Sequence, residues 1–171
     1  MEKVVVSVVM PAYNCEKYIA QAIASVLKQN VSLELLIIDD ASTDETRKQI
    51  EPYLSDERII YTVNEKNCGV AVSRNRGVSM ARGKYIAFLD ADDYWTEDKL
   101  ERQLALMEEK QAIFNCTGTD ERTWRTFRKD HFCAKRDYLS SIAEGELYQY
   151  FRSHGINIRS KAISDGTGTS A

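Results

Sequence analysis

Residues 4–10 read Val-Val-Val-Ser-Val-Val-Met, apolar at nearly every position and mostly β-branched. A short run without a polar face predicts a strand buried on both sides, as in a parallel sheet. Pro11 follows, and because proline has no N–H to give a ladder it marks the turn. Tyr18, Ile19, Ala22, Ile23, Val26 and Leu27 then recur at steps of one, three and four, which is one face of an amphipathic helix with Asn14 as its expected N-cap. Residues 34–39 predict a second buried strand. Ser42 and Glu45 have the spacing of a capping box and are expected to open a short helix toward Tyr53. Further along, 58–62 predicts a strand and 69–81 a helix stopped by Gly83. After them 85–89 predicts a fourth strand, 96–110 a strongly periodic helix, and 112–116 a fifth strand.

Strand and helix therefore alternate through residue 116, the signature of an α/β domain whose mostly parallel central sheet is covered on both faces. In such sheets ligands sit beyond the carboxyl ends of the strands. Three of those ends carry informative residues: Pro11-Ala12-Tyr13-Asn14, Asp39-Asp40 and Asp90-Ala91-Asp92-Asp93. After Cys116 the character changes. Arg122, Arg125, Arg128, Lys129, Lys135 and Arg136 crowd a stretch with little apolar periodicity, which reads as a surface excursion. Residues 138–151 have one weak apolar face interrupted by Gly145, and 165–171 has the composition of an unfolded tail. The expected division is a ligand-binding domain over 1–116 and an atypical segment over 117–171.

Length and composition fit one ordinary globular domain: 171 residues, 43% hydrophobic and 29% charged. A formal net charge of −3 argues against nucleic acid as a partner, since that footprint is basic. Cys15, Cys68, Cys116 and Cys133 are scattered without C-x-x-C spacing, and His131 and His154 complete no zinc pattern. They read as reduced thiols of a cytoplasmic protein. The opening apolar run is too short to span a membrane and follows no basic leader, so no signal peptide is expected.

Asp90, Asp92 and Asp93 place three carboxylates within four residues at the end of an apolar strand. They repel one another unless a cation or solvent relieves them. Their oxygens suit a hard divalent ion together with a diphosphate; the plainer reading is a solvated turn before the next helix. Asp39 and Asp40 can accept from a nucleobase N–H or a ribose hydroxyl, or simply form the turn into Ser42. Tyr13 offers a ring for stacking on a base, although an aromatic at a loop edge more often just packs. Arg74, Asn75 and Arg76 sit inside the helix over 69–81, where forked guanidinium donors suit phosphate oxygens, or else form a solvated face.

Together these pieces match a known pattern. Val8-Val9-Met10-Pro11-Ala12-Tyr13-Asn14, Ile37-Ile38-Asp39-Asp40-Ala41-Ser42-Thr43-Asp44, Asn67-Cys68-Gly69-Val70-Ala71-Val72-Ser73-Arg74-Asn75 and Ala81-Arg82-Gly83-Lys84-Tyr85-Ile86-Ala87-Phe88-Leu89-Asp90-Ala91-Asp92-Asp93 stand in order over residues 4–116. In this the sequence resembles the inverting family-2 glycosyltransferases, with the Rossmann-like nucleotide-diphospho-sugar transferase fold called GT-A.

The resemblance implies a nucleotide-sugar site made by Pro11, Ala12, Tyr13, Asn14, Asp39, Asp40, Arg74, Asn75, Asp90, Ala91 and Asp92. Pro11 and Tyr13 would pack on the nucleoside, Asp40 would read the base, and Arg74 and Asn75 would lie near ribose and phosphates. Asp90 and Asp92 match the Asp-x-Asp element, and Asp90, Asp92 and Asp93 would share a Mn2+ or Mg2+ ion that bridges the diphosphate. It further implies a uridine diphosphate sugar as donor, and a saccharide or lipid-linked acceptor as in polysaccharide biosynthesis. Work at the inner face of a membrane by peripheral association would follow.

Relatives carry the catalytic base and acceptor loops after the fifth strand, and residues 117–171 lack that pattern. The expected fold is thus incomplete at its C-terminus, the segment being truncated or divergent in frame after Cys116. No general base is identifiable, and Asp120, Glu144 and Glu146 are only available carboxylates. The competing reading is a remnant that binds donor without transferring. Nucleotidyltransferases and dinucleotide-dependent oxidoreductases need a glycine-rich phosphate loop after the first strand, and 11–16 contains no glycine.

Overall fold

The computed structural model describes residues 3–109, 111, 114–116 and 132–135. Strands β1 (Val6–Ala12), β2 (Leu33–Asp39), β3 (Ile59–Val63), β4 (Tyr85–Phe88), β5 (Phe114–Cys116) and β6 (Phe132–Lys135) form one sheet in the order β3-β2-β1-β4-β6-β5. The first four are parallel. β6 runs antiparallel to β4 and to β5, so the sheet is mixed at that edge. Helices α1 (Ile19–Leu27), α2 (Thr46–Ile50), α3 (Val70–Met80) and α4 (Lys99–Glu109) complete the described elements, with a 3-10 turn at Glu51–Tyr53 after α2. The weak helix expected over 138–151 and the tail at 165–171 lie outside the described residues.

β1 and β2 are buried at all positions. Val6, Val8, Met10 and Ala12 face a core shared with Ile19, Ile23 and Val26 of α1 and Leu100 and Met107 of α4. Val9 faces the other way with Leu36, Ile38, Ile86 and Phe88, under Val78 and Met80 of α3. Each large side chain so buried is worth about 1.5–3 kcal/mol. The doubly covered parallel sheet expected from the uninterrupted apolar runs is present.

Local punctuation differs from the sequence expectation at four points. Pro11 does not end β1; it continues through Ala12, pairing with β2. Val9 accepts from Leu89 N–H, on the β4 side, and Ala12 accepts from Asp40 N–H, on the β2 side. By alternation Pro11 faces β4, whose pairing with β1 stops at Phe88, so its missing N–H costs no ladder bond. Asn14 does not cap α1, whose N-cap is Tyr18 without a side-chain bond. Ser42 and Glu45 form no capping box, since α2 starts at Thr46, whose N–H goes to Asp44 Oδ1 at 3.0 Å.

Gly83 is the fourth. α3 ends at Met80 with Ala81 extended, and Gly83 stands beyond it. A Cβ on Gly83 would lie 2.6 Å from the Ser7 backbone nitrogen, so the glycine permits a close crossing over β1. There Gly83 N–H donates to Ser7 Oγ, which donates in turn to the buried Glu34 carboxylate at 2.6 Å. The Arg82 N–H donates to the same Glu34 Oε1 and its Nε to Oε2, both at 2.7 Å. Burial alone would raise the Glu34 pKa, but these donors and the guanidinium charge hold it below the ordinary value.

Candidate nucleotide and metal site

Parallel strands put their carboxyl ends on one edge, and β1, β2 and β4 are neighbours there. Asp39 is the register partner of Ala12, and Val9 of Phe88, two residues before Asp90. The three informative strand ends thus converge, as their positions in the sequence suggested.

Pro11, Ala12, Tyr13, Asp40, Asn67, Gly69, Val70 and Ser73 line a cavity of about 270 Å³ at this edge. Its apolar wall comes from Pro11, Ala12 and Val70, and Tyr13 is 49% exposed. Asp40 is 3% exposed and accepts hydrogen bonds from Asn64 Nδ2 (2.6 Å), Cys68 N–H (2.9 Å) and Gly69 N–H (2.7 Å). Burial pushes its pKa upward, but those donors outweigh it and keep the group below the ordinary aspartate value, hence ionised. The Ser73 hydroxyl adds a further bond that lowers the pKa, so the protein itself satisfies most of the four or so acceptor positions of this carboxylate. Gly69, at φ 87° and ψ 155°, is the N-cap of α3 and needs the left-handed freedom of glycine. Asp40 therefore also complements the positive end of that helix.

α3 turns polar and small residues, Ser73, Arg74 and Gly77, toward the sheet. Arg74 Nη2 meets Asp90 Oδ1 at 2.7 Å, with both side chains largely buried, and its guanidinium lies over the Phe88 ring. Arg74 Nε is buried without an acceptor. Asp90, Asp92 and Asp93 bring one carboxylate oxygen each to within 4.8 Å of one another. That all-oxygen donor set, partly exposed at Asp90 and Asp93 and exposed at Asp92, fits a hard divalent cation.

Other expected residues take different places. Asp39 is tied up: Oδ1 accepts from Ser42 N–H and Oδ2 from the Tyr61 hydroxyl, each at 2.8 Å. Burial and the Asp39 charge together raise the Tyr61 pKa, so it remains a donor. Asn14 bonds to the loop after β2 and does not line the cavity. Ala91 is in the hydrophobic core. Asn75 is exposed and outside the cavity lining. Arg76 ties α3 to the end of β3 through Val63 O (3.0 Å), Asn64 Oδ1 (2.5 Å) and Thr62 Oγ1 (2.6 Å). Asn64 and Ser73, which hold or flank Asp40, escaped the sequence reading because nothing in their spacing reveals a partner 24 residues away. Burial pushes the Cys15 thiol up to about 11, so it stays protonated. Asp120, Glu144 and Glu146 lie outside the described residues.

The family model for "Glycosyl transferase family 2" matches residues 7–171. The chain belongs to that family. Among its curated relatives, a Bacillus subtilis (strain 168) glycosyltransferase, TuaG, ascribed to teichuronic acid biosynthesis, is 47% identical over 118 residues, covering 68% of this chain and 47% of its own. The Escherichia coli UDP-Glc:alpha-D-GlcNAc-diphosphoundecaprenol beta-1,3-glucosyltransferase WfgD is 44% identical over 115 residues, covering 67% and 45%. The chain thus spans about half the length of these relatives.

Solved structures that share the fold include two glycosyltransferases. Staphylococcus aureus TarS (residues 1–349), in complex with UDP-GlcNAc, has a TM-score of 0.69 at 24% identity, covering 80% of this chain and 47% of that one. The Pyrobaculum calidifontis mannosyltransferase PcManGT, with GDP-Man and Mn2+, has a TM-score of 0.71 at 20% identity, covering 82% and 47%. The α/β architecture of this family 2 chain is therefore that of GT-A glycosyltransferases. No helix among the described residues is long and apolar enough to cross a membrane.

Proposed function

We propose that the strand-end site holds the donor of a glycosyl transfer, a nucleoside diphosphate sugar with a uridine base, together with Mn2+ or Mg2+. One observation carries this reading: the Asp40 cavity and the Asp90–Asp92–Asp93 cluster share an edge and are joined by the Arg74–Asp90 ion pair. The base enters between Tyr13 and Val70, with its polar edge toward Asp40 at the floor of the cavity. Arg74 orients Asp90 through their ion pair. Asp90, Asp92 and Asp93 hold the cation. When bound, the ion neutralises charge on the departing diphosphate as a Lewis acid. As its bond to the diphosphate oxygen breaks, the anomeric carbon takes on oxocarbenium character, and an acceptor hydroxyl attacks from the opposite face, giving its proton to a general base and inverting the configuration.

The uridine preference is supported by the named donor of the E. coli relative. That relative's name also motivates a lipid-linked saccharide as acceptor, with the protein working against the inner membrane face from the cytoplasm. The second reading is a donor-binding chain without turnover, in which the same residues hold nucleotide and ion.

Calorimetric titration with uridine, guanosine and adenosine diphosphates, with and without Mn2+, tests the site. Binding should prefer uridine diphosphate, strengthen with Mn2+, and fall at least tenfold in Asp92→Ala. Base-indifferent, metal-independent binding would refute the assignment. Release of sugar from the donor in the presence of Mn2+, followed by mass spectrometry, separates transferase from binder.

A further inference from the structure

Tyr13 is half exposed, yet both its neighbours are fastened to the loop that follows β2. On one side Ala12 O accepts from Asp40 N–H at 2.8 Å. On the other, Asn14 takes a left-handed φ of 48°, donates its own N–H to Ser42 Oγ (3.1 Å), and accepts from Thr43 N–H through Oδ1 (2.8 Å). The clasp continues: Cys15 N–H donates to Thr46 Oγ1 (2.8 Å), Glu16 N–H to Asp44 Oδ2 (3.1 Å), and Glu45 N–H returns to Glu16 Oε2 (3.0 Å). The receiving loop is itself set by Ala41 at φ 61° and by Asp39 Oδ1, which accepts from Ser42 N–H. Left-handed conformations in non-glycine residues cost energy and persist only where surrounding bonds enforce them.

We infer that Asn14 is a positioning residue: clasped to Ser42 and Thr43, it fixes the Tyr13 ring as a rigid wall of the cavity and so sets nucleotide affinity without touching the nucleotide. The inference rests on the proposed nucleotide site. A ring on a free loop would have to be ordered at each binding event, whereas the clasp orders it beforehand, and preorganisation of this kind reaches the observer as affinity. Asparagine meets both demands of the position. It tolerates left-handed φ, and its amide oxygen reaches the Thr43 N–H. Glycine meets only the first, and aspartate meets both.

The test is a double-mutant cycle read by calorimetry with uridine diphosphate and Mn2+, on the whole chain. Asn14→Gly should weaken binding five- to twentyfold, Asn14→Asp should restore it to within twofold, and Asn14→Gly should have no further effect in a Tyr13→Ala background. In parallel, hydrogen exchange of the segment 13–16 without nucleotide should accelerate in Asn14→Gly and not in Asn14→Asp. Equal losses in both backgrounds, or unchanged exchange, would overturn the positioning role. Absence of nucleotide binding in the unaltered protein, with exchange responding as stated, would instead overturn the nucleotide site and leave the clasp intact.

Discussion

Asp40 keeps its charge where water scarcely reaches it, because three N–H groups replace the hydration it gave up. Its depressed pKa ties that arrangement to acidity. A carboxyl whose folded pKa lies below its unfolded one contributes stability that is complete above the unfolded value and is lost as pH falls through the folded value. The urea midpoint should therefore hold steady from pH 7 to 5 and drop below about pH 4. Glu34, also depressed, adds to the same drop. Asp40→Asn turns an acceptor into an NH2 facing N–H donors, and should cost about 1–3 kcal/mol at pH 7. Its acid slope should be shallower than that of the unaltered protein. Should urea titrations give Asp40→Asn the full acid slope, the carboxylate is not one of the titrating groups.

α3 shows what the chain made legible and what it hid. Its existence was readable from small and apolar spacing, as were the buried runs of β1, β2 and β4, because those patterns follow from backbone period alone. Its orientation was not, since it presents Ser73, Arg74 and Gly77 to the sheet and leaves Val70 and Val72 half exposed. Pattern assigns apolar faces inward, and here the Arg74–Asp90 ion pair took the inward place. The caps failed for a related reason: Asn14 and Ser42 have the residue types of helix caps, but their oxygens are used across two loops. For the site, Asp40, Tyr13 and the acidic cluster were legible as strand ends, whereas Asn64 and Ser73 needed the fold.

Gly77 makes the packing of α3 testable. A Cβ there would stand 2.4 Å from Val9 Cγ1, and Val9 is fully buried and cannot yield. Gly77→Ala should lose about 1–3 kcal/mol from overpacking, offset by about 1 kcal/mol of helix propensity. Val9→Ala removes the obstructing atoms, so in the double variant the two losses should fall short of their sum by at least about 1 kcal/mol. Strict additivity in denaturant unfolding would mean that α3 does not bear on Val9.

At the scale of the whole molecule, the site is divided among segments that only the sheet brings together: the loops after β1, β2 and β4 and the start of α3. In the proposed assembly the nucleoside would contact the first part and the cation the second, so neither alone would span the edge. The diphosphate would join them. Uridine diphosphate with Mn2+ should then raise the thermal midpoint by more than the sum of the two separate shifts. At a hundredfold excess over the dissociation constant the linkage is worth about 2.7 kcal/mol, roughly 5–10 °C for a domain of this size. The origin of that excess can be located by hydrogen exchange. Protection should increase together at 12–16, 67–70 and 90–93 when both ligands are present, and at only one group of these with either alone. Additive thermal shifts, or protection confined to the acidic cluster with both present, would mean that cavity and cluster serve separate ligands, and the Arg74–Asp90 pair would then be a structural tie between neighbours.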